Sequence, residues 1–140
     1  MMLRLCRMLA ALWWGAMAGM AFLAVPVIFM TAPEKSLAGA IAARVFDLHA
    51  FWVMGGAVLL LLLARIDPLC RARHLEWALL LAAAAAAANH WGIAPLIVSA
   101  RATGGNLALW HGVGSALVAF CFVMSAWVNW RLSSRQSLFS

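Results

Sequence analysis

The stretch ATGGNLALWHGVGSALVAFCFVMSAWVNW, residues 102–130, contains no Asp, Glu, Lys or Arg. A helix needs about 20 apolar residues to cross roughly 30 Å of hydrocarbon, so this stretch alone is long enough to span a bilayer. Three further charge-free runs precede it: Met8–Pro33, Leu48–Ala64 and Trp77–Ala100. Allowing for their ends, the expected spans are about 8–30, 45–65, 75–97 and 107–130. The 140 residues are 67% hydrophobic and 10% charged, with a mean hydropathy of +0.98. Too few polar groups remain to cover a water-facing surface. The expected fold is all-α, a four-transmembrane-helix bundle forming one domain over residues 1–140. The first run exceeds the core of about 7–15 residues in a secretory signal, and Pro33 stands where cleavage would fall. It is expected to remain as a helix.

A net charge of +6 would suggest nucleic acid in a soluble chain. Here Arg4, Arg7, Arg65, Arg71, Arg73, Arg131 and Arg135 lie beside or between the apolar runs. They read as topology signals and headgroup contacts, so the expected partners are membrane lipids and not nucleic acid. The other two loops hold only Lys35, Arg44 and Arg101. The Arg-rich side is therefore expected to be cytoplasmic, with both termini inside. Trp13, Trp14, Trp77, Trp127 and Trp130 are expected near the inner interface and Trp110 near the outer one. Cys6 and Cys70 would then face a reducing compartment, where a structural disulfide is not expected. The preference for Arg over Lys and the abundance of Ala suggest a bacterial source with a GC-rich genome. The localisation implied is a bacterial inner membrane, crossed several times.

Thr31-Ala32-Pro33-Glu34 has the spacing of a capping box with Pro in the first turn. Leu37, Ile41, Val45 and Leu48 continue it as an apolar stripe. The second helix is thus expected to start near Thr31 as an interfacial extension, with Gly39 a candidate bend. The two halves also resemble each other. Val25-Pro26-Val27-Ile28-Phe29 parallels Ala94-Pro95-Leu96-Ile97-Val98, and Leu48-His49-Ala50 parallels Trp110-His111-Gly112. Two parallel-repeat hairpins are one reading of that match, and chance similarity of membrane helices is the other. Gly15 and Gly19 form a GxxxG, which suits either packing inside the bundle or a homo-oligomer or membrane-protein partner.

Ionisable groups in a membrane are functional candidates. His49, Asn89, His90 and His111 stand out, with Asp47 and Arg101 at the outer edge. Three readings compete. The imidazoles simply satisfy local hydrogen bonds. Alternatively, His49 and His111 bind haem b or copper as cofactor, with His90 a further metal ligand. In the third, a polar layer passes a small solute or proton. On the fourth helix, His111, Ser115, Phe122, Ser125 and Asn129 recur at near-helical spacing and are expected to face the interior. Pro26 and Pro95 each free a carbonyl four residues earlier, at Phe22 and Trp91, which suggests a kink or a polar acceptor. No nucleophile with its base, phosphate loop or carboxylate pair is present, so no enzymatic activity is expected.

Gly19 through Phe29, Leu37-Ala38-Gly39 with Val45-Phe46, Ala94-Pro95-Leu96-Ile97 and Trp110-His111-Gly112-Val113-Gly114-Ser115 resemble a bacterial membrane family, domain of unknown function 4149. That family is similar to an animal transmembrane protein linked to drug resistance (transmembrane-protein-205-like) and is grouped with copper-resistance-D-like proteins. The resemblance implies a four-helix inner-membrane protein without an assigned activity. It carries over to His111 but not clearly to His49 or His90, and Gly114 stands where the family more usually has Ser. Three function classes follow. The first is a non-enzymatic membrane protein with a polar His-containing layer near the outer face. The others are a haem- or copper-binding protein and a structural subunit packing through Gly15 and Gly19.

Overall fold

The computed structural model describes residues 2–134, so Arg135 lies outside the described residues. Four helices carry the chain: α1 Met2–Thr31, α2 Lys35–Ile66, α3 Arg73–Thr103 and α4 Leu107–Ser133. Each is long and apolar enough to cross a membrane, and each runs past the ends expected from charge-free runs alone. They pack in a ring, α1 on α2 and α4, and α3 on α2 and α4. Each helix reverses the one before, so Met2 and Ser134 lie at the same, Arg-rich end.

Alanines make up much of the core, beside aliphatic side chains such as Val53, Leu60, Leu75, Leu79 and Val128. Ala10, Ala57, Ala64, Ala78, Ala82, Ala85 and Ala86 are buried, while Phe22, Met30, Leu48, Leu62, Trp77 and Val98 are exposed. A water-soluble bundle would place the large apolar groups inside. In lipid, association rests on close backbone packing, so the small residues go inside and the large ones meet the acyl chains. One large ring breaks this pattern. Trp13 is 2% exposed, and a Cβ on Gly56 would lie 2.3 Å from its indole Cδ1. The indole thus occupies the space that any side chain at position 56 would need. Trp13 is a core residue and not the interfacial one expected, because its partner helix offers a glycine at the same level.

At the Arg-rich end, the Arg7 guanidinium donates from Nε to the Leu132 carbonyl at 2.9 Å. It satisfies one of the free acceptors at the α4 C-terminus, where a positive charge is favoured. Cys6 and Cys70 form a disulfide with their Cα atoms 6.6 Å apart. This corrects the expectation of unpaired thiols, which came from compartment alone and not from distance.

At the opposite end, the Thr31 hydroxyl donates to the Val27 carbonyl at 2.7 Å, so Thr31 closes α1 instead of capping α2. The capping box does not form, because Thr31 still belongs to α1 and α2 starts only at Lys35. From Lys35 onward α2 is helical without interruption through Gly39. The other turn at this end uses Gly104 at φ 72°, a left-handed conformation that suits glycine after a helix. Asn106 then caps α4 by accepting from the Leu109 N–H at 3.0 Å.

Both odd helices change winding at matching places. Residues Met20–Ala24 of α1 and Ala88–Ile93 of α3 are π-helical, and each segment ends two residues before a proline, Pro26 or Pro95. The Val25 N–H donates to the Met20 carbonyl and the Ala94 N–H to the Asn89 carbonyl, both i→i−5 bonds. Proline cannot donate and its ring clashes with the carbonyl four residues back. The wider turn relieves that conflict without breaking the helix. Beyond the π segments, Val25–Thr31 packs on α2 and Ala94–Thr103 on α4. Each hairpin therefore closes mainly on itself at the Arg-poor end, as a pair of repeated units would.

Candidate functional site

The polar residues of the Arg-poor half gather along the seam where α2 meets the π segment of α3. His90, within that segment, places Nδ1 3.3 Å from Asp47 Oδ1 on α2, with side chains 18% and 42% exposed. The contact is close, but its angles do not make a hydrogen bond, and His90 Nδ1 is sealed from solvent without a hydrogen-bond partner. Phe51 of α2 packs edge-on against both His90 and Trp91, at ring separations of 4.9 and 6.4 Å. A chain of side chains thus joins the two hairpins where their backbones separate.

Two glycines let polar groups approach this region. Asn89 Oδ1 lies 3.2 Å from where a Cβ on Gly114 would stand, so the α4 backbone admits the amide. Gly114 is therefore a contact point for Asn89. On α2, Arg101 reaches across from α3 and sets its Nη2 3.6 Å from the corresponding position on Gly39. The positive head of Arg101 thus sits over the Arg-poor end of α2, bridging the two hairpins.

His49 is separate from this seam. It is 8% exposed, packs edge-on against Phe46 at 6.5 Å, and its Nε2 is sealed without a partner. His111 lies on the exposed face of α4, which is diagonal to α2 in the ring. Among the described residues, no three His, Cys, Asp or Glu side chains group so as to hold a metal ion. His49, His90 and His111 therefore do not group as three ligands of one metal ion. The expected inward stripe on α4 holds only in its lower part. Ser125 is fully buried, whereas His111 and Ser115 are exposed. At their level the outer part of α1 packs on α2 and leaves α4 uncovered.

Pro26 and Pro95 are exposed and act through the π segments described above, not as simple kinks. Gly15 and Gly19 have nothing within 4 Å of an added Cβ, so the GxxxG does not pack inside the chain. The packing of Trp13 on Gly56 has no signature in the sequence, and the π segments are marked only by the two prolines that follow them.

No curated protein and no solved structure matches this chain. The model of one family, described as domain of unknown function (DUF4149), matches residues 8–106. That range runs from α1 through both prolines, both π segments and Asp47, His49, Asn89 and His90, and ends at the cap of α4. A match over most of the chain, carried by an all-α fold with four membrane-length helices, places this chain in the DUF4149 family.

Proposed function

We propose that this is a non-enzymatic protein of a bacterial inner membrane that holds and passes a proton at the seam between its hairpins. The observation that carries the reading is the Asp47 carboxylate 3.3 Å from the His90 imidazole, inside a π-helical segment. A carboxylate and an imidazole at this distance need only a small side-chain rotation to line up for proton transfer, and the exposed Asp47 carboxylate can exchange that proton with water at the mouth. The π segment turns His90 toward α2, and such segments recur at functional sites. Asn89 and Arg101 line the approach. The Arg-rich end is read as cytoplasmic, since seven Lys and Arg residues lie on that side against three on the other. The seam then opens toward the outer face.

The test is proton flux into liposomes containing the protein and a pH-sensitive dye, driven by an imposed potential. Wild type should exceed empty liposomes, and Asp47→Asn or His90→Phe should each lower the excess on the order of tenfold, as expected for a group that acts directly on the proton. Wild-type flux equal to that of empty vesicles would reject the reading, as would flux unchanged in both variants.

A second reading, a subunit that pairs through α1, is favoured by one observation: Gly15 and Gly19 have no partner within the chain. Replacing both with Leu should convert any detergent-stable oligomer to monomer, and an unchanged oligomeric state would remove it.

A further inference from the structure

At the Arg-rich end, where α3 begins and α4 ends, the Trp127 indole of α4 meets two basic side chains. The Arg131 guanidinium lies over its ring, 5.8 Å from the centroid. The His74 imidazole of α3 packs edge-on against the same ring at 5.5 Å. Both basic residues are exposed. Among the described residues, the Arg131 side chain has no carboxylate partner. Glu76, the acidic residue in the first turn of α3, is already taken by Arg71 at 3.2 Å. A positive charge is thus held on an aromatic platform and left unneutralised by the protein.

Its depth is marked by two further rings. Trp77 and Trp130, each three residues beyond His74 or Trp127, are exposed, and exposed tryptophans at helix ends lie at the level of the lipid headgroups. Leu81 and Val123, a turn deeper on the same two helices, are exposed and apolar. A fixed cation above an apolar surface matches a phospholipid, with its phosphate at the cation and its chains below. A guanidinium takes phosphate through paired N–H donors, and its cation–π contact with Trp127 limits the ordering cost of binding. A zwitterionic head would bring its own cation against Arg131, whereas an anionic head does not. We propose that this corner of the bundle binds an anionic phospholipid, with Arg131 holding the phosphate and Trp127 and His74 holding Arg131 in place.

Native mass spectrometry of the delipidated full chain tests this, with dioleoylphosphatidylglycerol or dioleoylphosphatidylcholine added and the bound lipid counted. Wild type should retain phosphatidylglycerol more tightly than phosphatidylcholine. Arg131→Gln should weaken the phosphatidylglycerol affinity about fivefold, the equivalent of about 1 kcal/mol for one cation at a membrane surface. Arg65→Gln removes the same charge from the same end, at the last turn of α2, and should leave the affinity unchanged. Both arginines are exposed, so both variants are expected to keep the wild-type fold, which helical circular dichroism would check. Excess inorganic phosphate should not displace the lipid, since the chains contribute to its binding. The proposal is overturned by any of four results: equal wild-type affinity for the two lipids, full phosphatidylglycerol affinity in Arg131→Gln, an equal loss in Arg65→Gln, or displacement by inorganic phosphate.

Discussion

Gly56→Val should be among the most damaging single substitutions in this protein, lowering the thermal midpoint in detergent by the equivalent of about 3 kcal/mol or more. A Cβ at this position would stand 2.3 Å from Trp13 Cδ1 and 2.5 Å from Nε1. Something must move, and the ring is enclosed, with only 2% of its surface free. Pushing it outward would part α1 from α2 and break the Trp52 bond to the Trp13 carbonyl. Trp13→Ala removes the obstacle at its own cost of about 3–5 kcal/mol. The double variant should therefore be more stable than the two single losses added together, by about 1–3 kcal/mol of coupling. Strict additivity in that cycle would mean that the two residues do not meet.

The second large effect concerns the disulfide at the Arg-rich end. Reduction, or Cys70→Ser, should lower the midpoint, because the Cys6–Cys70 bond ties the start of α1 to the turn after α2 across 64 residues of sequence. In a soluble chain, closing a loop of that length stabilises by about 4 kcal/mol through the unfolded state. Residual structure in the unfolded state lowers that figure, so a smaller loss is expected here. A closed pair at this end is at odds with a reducing compartment, so its redox state bears directly on which side of the membrane the end faces. Intact mass under denaturing, non-reducing alkylation distinguishes the states. Two alkylated thiols at positions 6 and 70 in aerobically purified protein, with a midpoint unmoved by reductant, would contradict the bond.

The spans were legible because hydrocarbon imposes one simple demand, a charge-free length, and residues 102–130 meet it without help from the rest of the chain. The prolines were legible as disturbances, but the π segments were not. Whether a carbonyl is answered five residues on instead of four leaves no mark on apolar periodicity. The capping box failed because Thr31 has two backbone claims on its hydroxyl, and the end of α1 won. Cys6 and Cys70 carried no spacing motif, and their meeting depends on how α1 lies against the α2–α3 turn. The histidines stand out by their chemistry, but helical spacing alone does not place them in three dimensions. Helical spacing puts His111 near the inward face of α4, but the hairpins separate at its level and leave it uncovered. Asp47 and His90 meet because the π segment rotates one helix relative to the other, a tertiary event that sequence spacing does not record.

All of these contacts presuppose four crossings of a bilayer, with the turns at 32–34 and 104–106 on one side and the turn at 67–72 on the other. Single cysteines at Ser36, Gly105 and Ala72, in a chain with Cys6, Cys70 and Cys121 replaced by Ser, can be labelled in sealed vesicles with an impermeant maleimide. Positions 36 and 105 should react together from one side, and position 72 only after the vesicles are opened or inverted. Reaction of 36 and 105 from opposite sides, or equal reaction of all three in sealed vesicles of one orientation, would contradict the four-span arrangement and the seam built on it.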